Sequence, residues 1–436
     1  MKTLSRRKFL GRTVAAGTGL SLVLSPSPAA ERTAATTPAT KARPWPVWGA
    51  PEEEALLDVL RSGKWGRNIG SKVKEFEAAY AEKCRARHCI ATASGTTALL
   101  TTLGALDIGP GDEVILPPYT FVATFNVITL NYALPVFVDT DPKTFQIDTT
   151  KIAAAITPAT KLLLPVHIGG YPANLDALTE ISRARKIPFV EDACQAWLAE
   201  WRGQPVGSHG IGGCFSFQAS KNLTSGEGGA VLTNDDAFAD RCFDFHSPSG
   251  RGGGVAVNSG RKSNYRMTEF QAALLLAQMK RLDAQFKTRD ENAAYLTGML
   301  GKVPGITPTP LTPGATRSAY HLYFVRYDQR HFAGLPRAKL LQELAKQGVH
   351  FSSGYSPLNT SAHAKSLVTN PHYQRIYGKQ AMARWSERNQ CPENDRLCQE
   401  AMWFGQTVLL QPRSELERIV ETLTRIQRRA GELARV

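Results

Sequence analysis

Lys221 lies where a short apolar strand, Gly212 to Phe217, runs through Gln218-Ala219-Ser220 and on to the glycine cluster Ser225-Gly226-Glu227-Gly228-Gly229. A primary amine on a tight turn at a strand end can form an imine with an aldehyde. Alone it would be read as a solvated surface lysine, one of the 52 Lys and Arg residues of the chain. Upstream, Ile187-Pro188-Phe189-Val190-Glu191-Asp192 reads as a buried parallel strand ending in a carboxylate, with Glu191 on the opposite face. Acids are seldom buried without a partner, so Asp192 points to a bound cation, a metal or a helix cap. Earlier still, Ser94-Gly95-Thr96-Thr97 leads into the helix-forming stretch Ala98-Leu99-Leu100. Free backbone N–H groups and the positive helix end favour a phosphate there, although the same pattern also makes an ordinary N-cap. Together, a phosphate cradle, a strand-end Asp and a strand-end Lys are the parts a pyridoxal phosphate enzyme needs. The lysine forms the Schiff base, and the acid keeps the pyridine nitrogen protonated so that the ring accepts electrons.

The elements that must position these groups follow from hydrophobic runs. Apolar strands are expected near 113–117, 135–139, 161–167, 187–192, 212–218 and 229–233, alternating with helices near 97–106, 122–132 and 174–185. That pattern predicts an α/β fold: a large, mostly parallel sheet sandwiched by helices, with ligand groups at strand ends and helix starts. At Val303-Pro304-Gly305-Ile306-Thr307-Pro308 the texture changes, and a smaller α+β C-terminal domain is expected over 301–436, after a cofactor-binding domain over 45–300. In it, Tyr320 to Tyr327 reads as a strand, Pro336 to Gln347 as a helix, and Ser414 to Arg429 as an amphipathic helix. Asn370 to Gln399 is polar, carries Trp385, lacks a clear period, and is expected to form a flap or a partner contact.

From Trp45 to the C-terminus the chain resembles the DegT/DnrJ family of sugar aminotransferases, within the fold type I group of pyridoxal phosphate enzymes. Ser94-Gly95-Thr96-Thr97 matches the family's phosphate loop, which implies Gly95, Thr96 and Thr97 as cofactor contacts. Gly111 to Phe121 matches the strand whose terminal aromatic, here Phe121, stacks on the cofactor ring. Glu191-Asp192-Ala193-Cys194-Gln195-Ala196 carries the pyridinium partner Asp192 and places Gln195 beside the ring hydroxyl; Phe215-Ser216-Phe217 supplies Ser216 to the phosphate. Asn264 in Asn264-Tyr265-Arg266-Met267-Thr268-Glu269 resembles an asparagine that reaches the phosphate of the neighbouring subunit, which implies a homodimer with a shared site. Thr268 and Glu269 would also start an amphipathic helix through Leu282. His167 and His321 match positions near the substrate mouth, though single histidines in apolar strands are more often structural. Where many members carry a histidine after an aromatic-Pro-Leu stretch, this chain has Tyr355-Ser356-Pro357-Leu358-Asn359, which implies a different acceptor pocket, with Tyr355 among its substrate contacts. Arg43 to Gly49 and the Phe-Ser-Phe-Gln run look closest to the branch with scyllo-inosose aminotransferases and 3-amino-5-hydroxybenzoate synthase.

The resemblance implies a two-stroke, ping-pong exchange in which glutamate or glutamine gives up its amino group and a keto sugar or cyclitol collects it. The family's dehydratases replace the lysine with histidine, and Lys221 argues against that branch. Two other classes fit the same residues. One is different pyridoxal phosphate chemistry, such as an aldolase, because reaction choice is set by pocket geometry. The other is an exported binding protein that retains the fold.

Ser5-Arg6-Arg7-Lys8-Phe9-Leu10, an apolar stretch Val14 to Leu24 and Ser25-Pro26-Ser27-Pro28-Ala29-Ala30 read as a twin-arginine export signal over 1–30, followed by a flexible linker over 31–44. The apolar stretch is about eleven residues, short of the roughly twenty that span a bilayer. A periplasmic or secreted protein is therefore expected. Removing Lys2, Arg6, Arg7, Lys8 and Arg12 with the leader lowers the formal charge from +14 to +9. The chain stays basic, which suits an acidic substrate or anionic surroundings, but no basic run interleaves with aromatics in the manner of a nucleic-acid binder. Arg241, Arg251, Arg261 and Lys262 are expected to flank the site. The seven cysteines have no zinc spacing, no metal is expected, and Cys391 and Cys398 could pair by oxidation after export.

Overall fold

The computed structural model describes residues 45–247 and 261–435, which belong to one compact unit. The expected leader and linker, 1–30 and 31–44, lie outside the described residues. The strands are β1 His88–Thr92, β2 Glu113–Leu116, β3 Leu134–Phe137, β4 Thr160–Leu163, β5 Val190–Asp192, β6 Glu200–Trp201, β7 Gln204–Pro205, β8 Gly212–Ser216, β9 Gly229–Thr233, β10 Ile306–Pro308, β11 Ala315–Arg317, β12 Leu322–Tyr327 and β13 Ala401–Gly405. The large sheet has two hydrogen-bonded parts, β3-β2-β4 and β1-β9-β8-β5. Parallel bridges Leu163–Phe189 and Val166–Asp192 join them between β4 and β5. Only β9 runs against its neighbours.

Both faces of this sheet are buried, which is why its strands read as continuous apolar runs. The two-residue alternation divides their side chains between two cores. Val114, Leu116, Val190, Cys214 and Val231 enter one, and Ile115, Phe215, Ala230 and Leu232 the other. Helices α1 Ala50–Ser62, α2 Lys72–Lys83, α3 Gly95–Ala105, α4 Val122–Leu130, α5 Thr149–Ala155, α6 Leu175–Arg185, α7 Asp236–His246 and α8 Glu269–Leu300 cover it. Glu269, buried at the start of α8, accepts from the Lys72 and Val73 amides at 2.6 and 3.2 Å and so caps α2.

Neither sheet edge is bare. Along β3, Pro135 has no N–H, the outward Phe137 N–H donates to Asn389 Oδ1 at 2.6 Å, and the Pro135 carbonyl accepts from Trp385 Nε1 at 2.6 Å. The Tyr373 hydroxyl donates to the Ala133 carbonyl at 3.1 Å. Along β1, the Ala91 N–H donates to Glu77 Oε1 at 2.7 Å, and the Ala93 N–H to the Tyr265 carbonyl at 2.7 Å. Arg67 holds Glu77 in a two-pronged pair at 2.7 and 2.9 Å.

A second core starts inside α8 rather than at residue 300. Leu275, Leu282 and Phe286 pack under the large sheet, whereas Ala293, Leu296 and Leu300 of the same helix pack with β10, β12 and β13. Helices α9 Arg337–Ala345, α10 Ala362–Thr369, α11 Pro371–Tyr377, α12 Lys379–Arg388, α13 Pro392–Glu400, α14 Arg413–Arg428 and α15 Ala430–Leu433 complete the chain. On α14, Leu416, Ile419, Leu423 and Ile426 recur at helical spacing and fill the second core. The stretch Asn370–Gln399 is not a flap. It forms α11, α12 and most of α13, and Tyr373, Met382, Trp385 and Cys391 return to the core of the large sheet. No periodicity was visible because each helix is short and a new cap, Asn370, Gly378 or Cys391, begins every one.

Candidate active site

A cavity of about 600 Å³ opens where the C-terminal ends of β5 and β8 meet the N-terminus of α3. Ser94 caps α3: its hydroxyl accepts from the Thr97 N–H at 3.1 Å, and its own N–H donates to Thr97 Oγ1 at 2.8 Å. Thr97 also donates to the Ser94 carbonyl at 2.8 Å. Its hydroxyl is thus engaged within the cap, and Thr97 is not among the residues that line the cavity. The amides of Gly95 and Thr96 are the first-turn donors left to face an anion. Gly95 is demanded by space, because a Cβ there would stand 2.6 Å from the Cβ of Ser216 and 3.0 Å from Cys194 Sγ. Ser216, the last residue of β8, faces the same turn and lines the cavity.

Asp192 ends β5 and is 4 % exposed. Its Oδ2 accepts from the Thr124 hydroxyl at 2.7 Å and its Oδ1 from the Cys194 N–H at 3.2 Å. On the opposite face Glu191 accepts from His167 Nε2 at 2.9 Å and from the amides of Gly207, His209 and Gly210 at 2.7, 2.7 and 3.1 Å. Burial alone would push the Glu191 carboxyl up, but these donors hold it below the usual carboxylate range. The Ala173 N–H donates to His167 Nδ1 at 3.0 Å, so the ring hydrogen is on Nε2. Both ring nitrogens are engaged in the interior, and His167 is a structural residue rather than the expected substrate contact.

Lys221 sits on a loop held by its neighbours. Trp45 Nε1 donates to the Ala219 carbonyl at 2.9 Å, and Asn222 Nδ2 donates to the Ala319 carbonyl at 2.8 Å. Burial lowers the pKa of the Lys221 amine, against the smaller opposing effects of Cys194, Asp192 and Glu227. Among the described residues it has no salt-bridge partner. Its Nζ lies 5.8 Å from the centre of the Trp197 ring.

The remaining walls are aromatic and polar. Phe121, at the N-cap of α4, is 56 % exposed and lines the cavity. Gln195 Oε1 accepts from the Gly169 N–H at 2.7 Å, which turns its Nε2 toward the Tyr355 hydroxyl at 3.0 Å. Burial pushes the Tyr355 pKa up to about 12, so the phenol keeps its hydrogen at neutral pH. His321 faces Asn222 Oδ1 at 3.1 Å through Nδ1. Since Asn222 uses its Nδ2 on Ala319, His321 Nδ1 carries the hydrogen and Nε2 is an acceptor. Burial, with Lys221 and Arg289 nearby, drives the His321 pKa well below its ordinary value.

Gly95, Thr96, Phe121, Asp192, Gln195, Ser216, Lys221, His321 and Tyr355 therefore meet at one cavity. Asn264 is exposed and does not line it. Of the expected flanking cations, Arg241 donates to the Ala105 carbonyl, Arg261 pairs with Asp107 at 2.6 Å, and Lys262 pairs with Asp244 at 2.5 Å. None of the three lines the cavity, and Arg251 lies outside the described residues. Thr124, Cys194, Glu227 and Trp403 line it without having been singled out as site residues. Only Cys194 and Glu227 had a signal, adjacency to Asp192 and to the lysine turn. All seven thiols are free, and Cys391 and Cys398 are both buried.

A strand-end lysine and carboxylate facing a helix N-terminus across a mostly parallel sheet place the chain among fold type I transferases. The chain belongs to the DegT/DnrJ/EryC1/StrS aminotransferase family, which it matches over residues 48–424. It is 36 % identical over 418 residues to an L-glutamine:2-deoxy-scyllo-inosose aminotransferase of Streptoalloteichus tenebrarius, covering 90 % of this chain and 96 % of the relative. It is likewise 36 % identical over 343 residues to the spore coat polysaccharide biosynthesis protein SpsC of Bacillus subtilis, covering 76 % and 85 %. Among solved structures, 3-amino-5-hydroxybenzoic acid synthase superposes with a TM-score of 0.78 at 30 % identity, covering 89 % of this chain and 98 % of the other. The chain is an aminotransferase.

Proposed function

We propose that this aminotransferase holds pyridoxal 5'-phosphate, takes its amino group from L-glutamine and delivers it to the keto carbon of a cyclitol. The observation that carries the reading is Lys221, a desolvated amine opening on the cavity that also receives Asp192 and the first turn of α3. The residues fit the cofactor. Gly95 leaves the close approach that a Cβ would fill, the Gly95 and Thr96 amides with the Ser216 hydroxyl suit a phosphate, and Asp192 suits a protonated ring nitrogen. Phe121 offers its exposed ring as a stacking face. When bound, pyridoxal phosphate supplies an aldehyde that exchanges amino groups and a ring that accepts an electron pair.

The chain's own groups do the rest. Burial lowers the pKa of Lys221, raising the share of neutral amine able to attack a carbonyl carbon. With the cofactor held there, the Lys221 amine would be placed to carry a proton between the substrate carbon and the cofactor carbon. Thr124 and the Cys194 N–H fix the Asp192 carboxylate. Relatives named as L-glutamine:scyllo-inosose aminotransferases support the donor and acceptor classes. The proposal includes a homodimer, in which Asn264 reaches the partner's phosphate site, and export of the folded, cofactor-loaded protein by the twin-arginine route. The exposed Asn264 and the Arg6-Arg7 leader support these two parts.

The test incubates the purified protein, loaded with pyridoxal phosphate, with L-glutamine and scyllo-inosose. Mass spectrometry should find the amino cyclitol and the keto acid 2-oxoglutaramate in equal amounts, and Lys221→Ala should abolish both. Full exchange by Lys221→Ala, or none by the wild type with any amino acid donor, would overturn the assignment. Fractionation of the source cells tests export, and light scattering with an Asn264→Ala cofactor titration tests the shared site.

A further inference from the structure

Trp403, on β13, is half-buried and lines the cavity with its ring centre 4.5 Å from that of Tyr355. Phe324 packs edge-on against Trp403 at 5.6 Å, and Tyr119 packs edge-on against Tyr355 at 5.4 Å. The Trp403 backbone is pinned on both sides: it pairs with Phe324 across the sheet, and its carbonyl accepts from the Ser352 N–H at 2.7 Å. The two rings therefore form a stiff apolar wall of the cavity.

Hydrogen-bond polarity around that wall is fixed. Gln195 donates to the Tyr355 oxygen, so the phenol hydrogen must turn elsewhere. His321 presents an unprotonated Nε2. One O–H donor and one nitrogen acceptor are what a hydroxylated ring requires, since each hydroxyl both gives and takes.

The charges narrow the ligand further. Among the described residues lining the cavity, Asp192, Lys221 and Glu227 are the acidic and basic ones. With Asp192 and Lys221 assigned to the cofactor, Glu227 is the acidic residue that remains, and a carboxylate accepts from ring hydroxyls. We propose that Trp403 and Tyr355 form a stacking platform, and His321 Nε2 a hydroxyl acceptor, that together select a polyhydroxylated ring as amino acceptor. This rests on the aminotransferase reading above. A ring with equatorial hydroxyls turns axial C–H bonds to each face and covers an aromatic wall, whereas glutamine, a linear chain charged at one end, does not. The platform should therefore serve the acceptor stroke more than the donor stroke.

Two readouts test this in the loaded, full-length protein. Rapid mixing follows the visible band separately for the donor stroke with L-glutamine and the acceptor stroke with scyllo-inosose. Trp403→Ala should slow the acceptor stroke by about tenfold relative to the donor stroke, and Trp403→Phe should recover most of the loss. Tyr355→Phe, which keeps the wall and removes the hydroxyl, and His321→Phe should also fall mainly on the acceptor stroke. Parallel slowing of both strokes in Trp403→Ala would overturn the platform. Equilibrium dialysis with labelled scyllo-inositol needs no turnover. Weaker binding by Trp403→Ala supports the platform and equal binding refutes it, even if the wild type were to exchange no amino group.

Discussion

Glu191→Gln isolates how the sheet holds Asp192 in place. The native carboxylate is fully buried and accepts four hydrogen bonds, two on each oxygen: His167 and Gly207 on Oε2, His209 and Gly210 on Oε1. An amide of the same shape has one oxygen and one NH2 group, so in either orientation two donors face a donor. His167 cannot relieve this by moving its hydrogen, because Nδ1 already accepts from Ala173. Each buried donor left unpaired costs about 1–3 kcal/mol, so the substitution should destabilise the fold by about 2–6 kcal/mol. Since the folded carboxyl is held below its usual range, its contribution is present above the unfolded value and is lost as pH falls through the folded one. Urea titrations at neutral pH should show the loss, and in Glu191→Gln the decline of stability on acidification should be shallower than in the wild type. Pyridoxal phosphate affinity should fall as well, because Asp192 is the next residue on the strand. A urea midpoint equivalent to within about 0.5 kcal/mol of wild type would refute the reasoning.

Other expectations are as direct. Lys221→Met removes a desolvated amine, and because the folded pKa is depressed, folding is penalised below the unfolded pKa and relieved as pH rises toward it; the cofactor-free variant should therefore be more stable at neutral pH by about 1–3 kcal/mol in urea. Gly95→Ala puts a methyl group 2.6 Å from the Ser216 Cβ and should raise the dissociation constant for pyridoxal phosphate by on the order of tenfold in a fluorescence titration. Thr124→Val deletes the hydroxyl that donates to Asp192 and should lower turnover while leaving cofactor bound, by no more than one charged hydrogen bond, about 1.5–3 kcal/mol, can supply. Leu423→Ala on α14 should cost about 2–5 kcal/mol of stability by cavity formation, read by thermal or urea unfolding.

The strands of the large sheet were legible because burial on both faces makes them continuous apolar runs, and their boundaries fall within a few residues of the expectation. β1 escaped notice, since His88-Cys89-Ile90-Ala91-Thr92 is mixed in character and its edge position is partly covered by side chains. Asp192 and Lys221, which the chain alone singled out, lie at the end of β5 and on the loop after β8, and both line the cavity. Trp403 could not be singled out in that way, because it joins the cavity only through pairing of β13 with β12, and nothing local to Ala401–Gly405 marks a site. Thr97 and His167 stand apart from the cavity for a related reason. Each has a hydroxyl or ring nitrogen suited to a ligand, but its hydrogen bonds are taken by Ser94 in one case and by Glu191 and Ala173 in the other. The boundary at residue 300 followed a change of composition, whereas the change of core partner occurs within a continuous helix.

The covered edges of the large sheet constrain how copies of this chain can meet. A strand from a second chain could extend the sheet only along β1 or β3. On β1 the Ala91 and Ala93 amides are taken by Glu77 and Tyr265; on β3 the Phe137 amide and the Pro135 and Ala133 carbonyls are taken by Asn389, Trp385 and Tyr373. An incoming strand would have to displace two of these hydrogen bonds on β1, or three on β3, before forming its own. The large sheet therefore carries its own guard against edge-to-edge polymerisation.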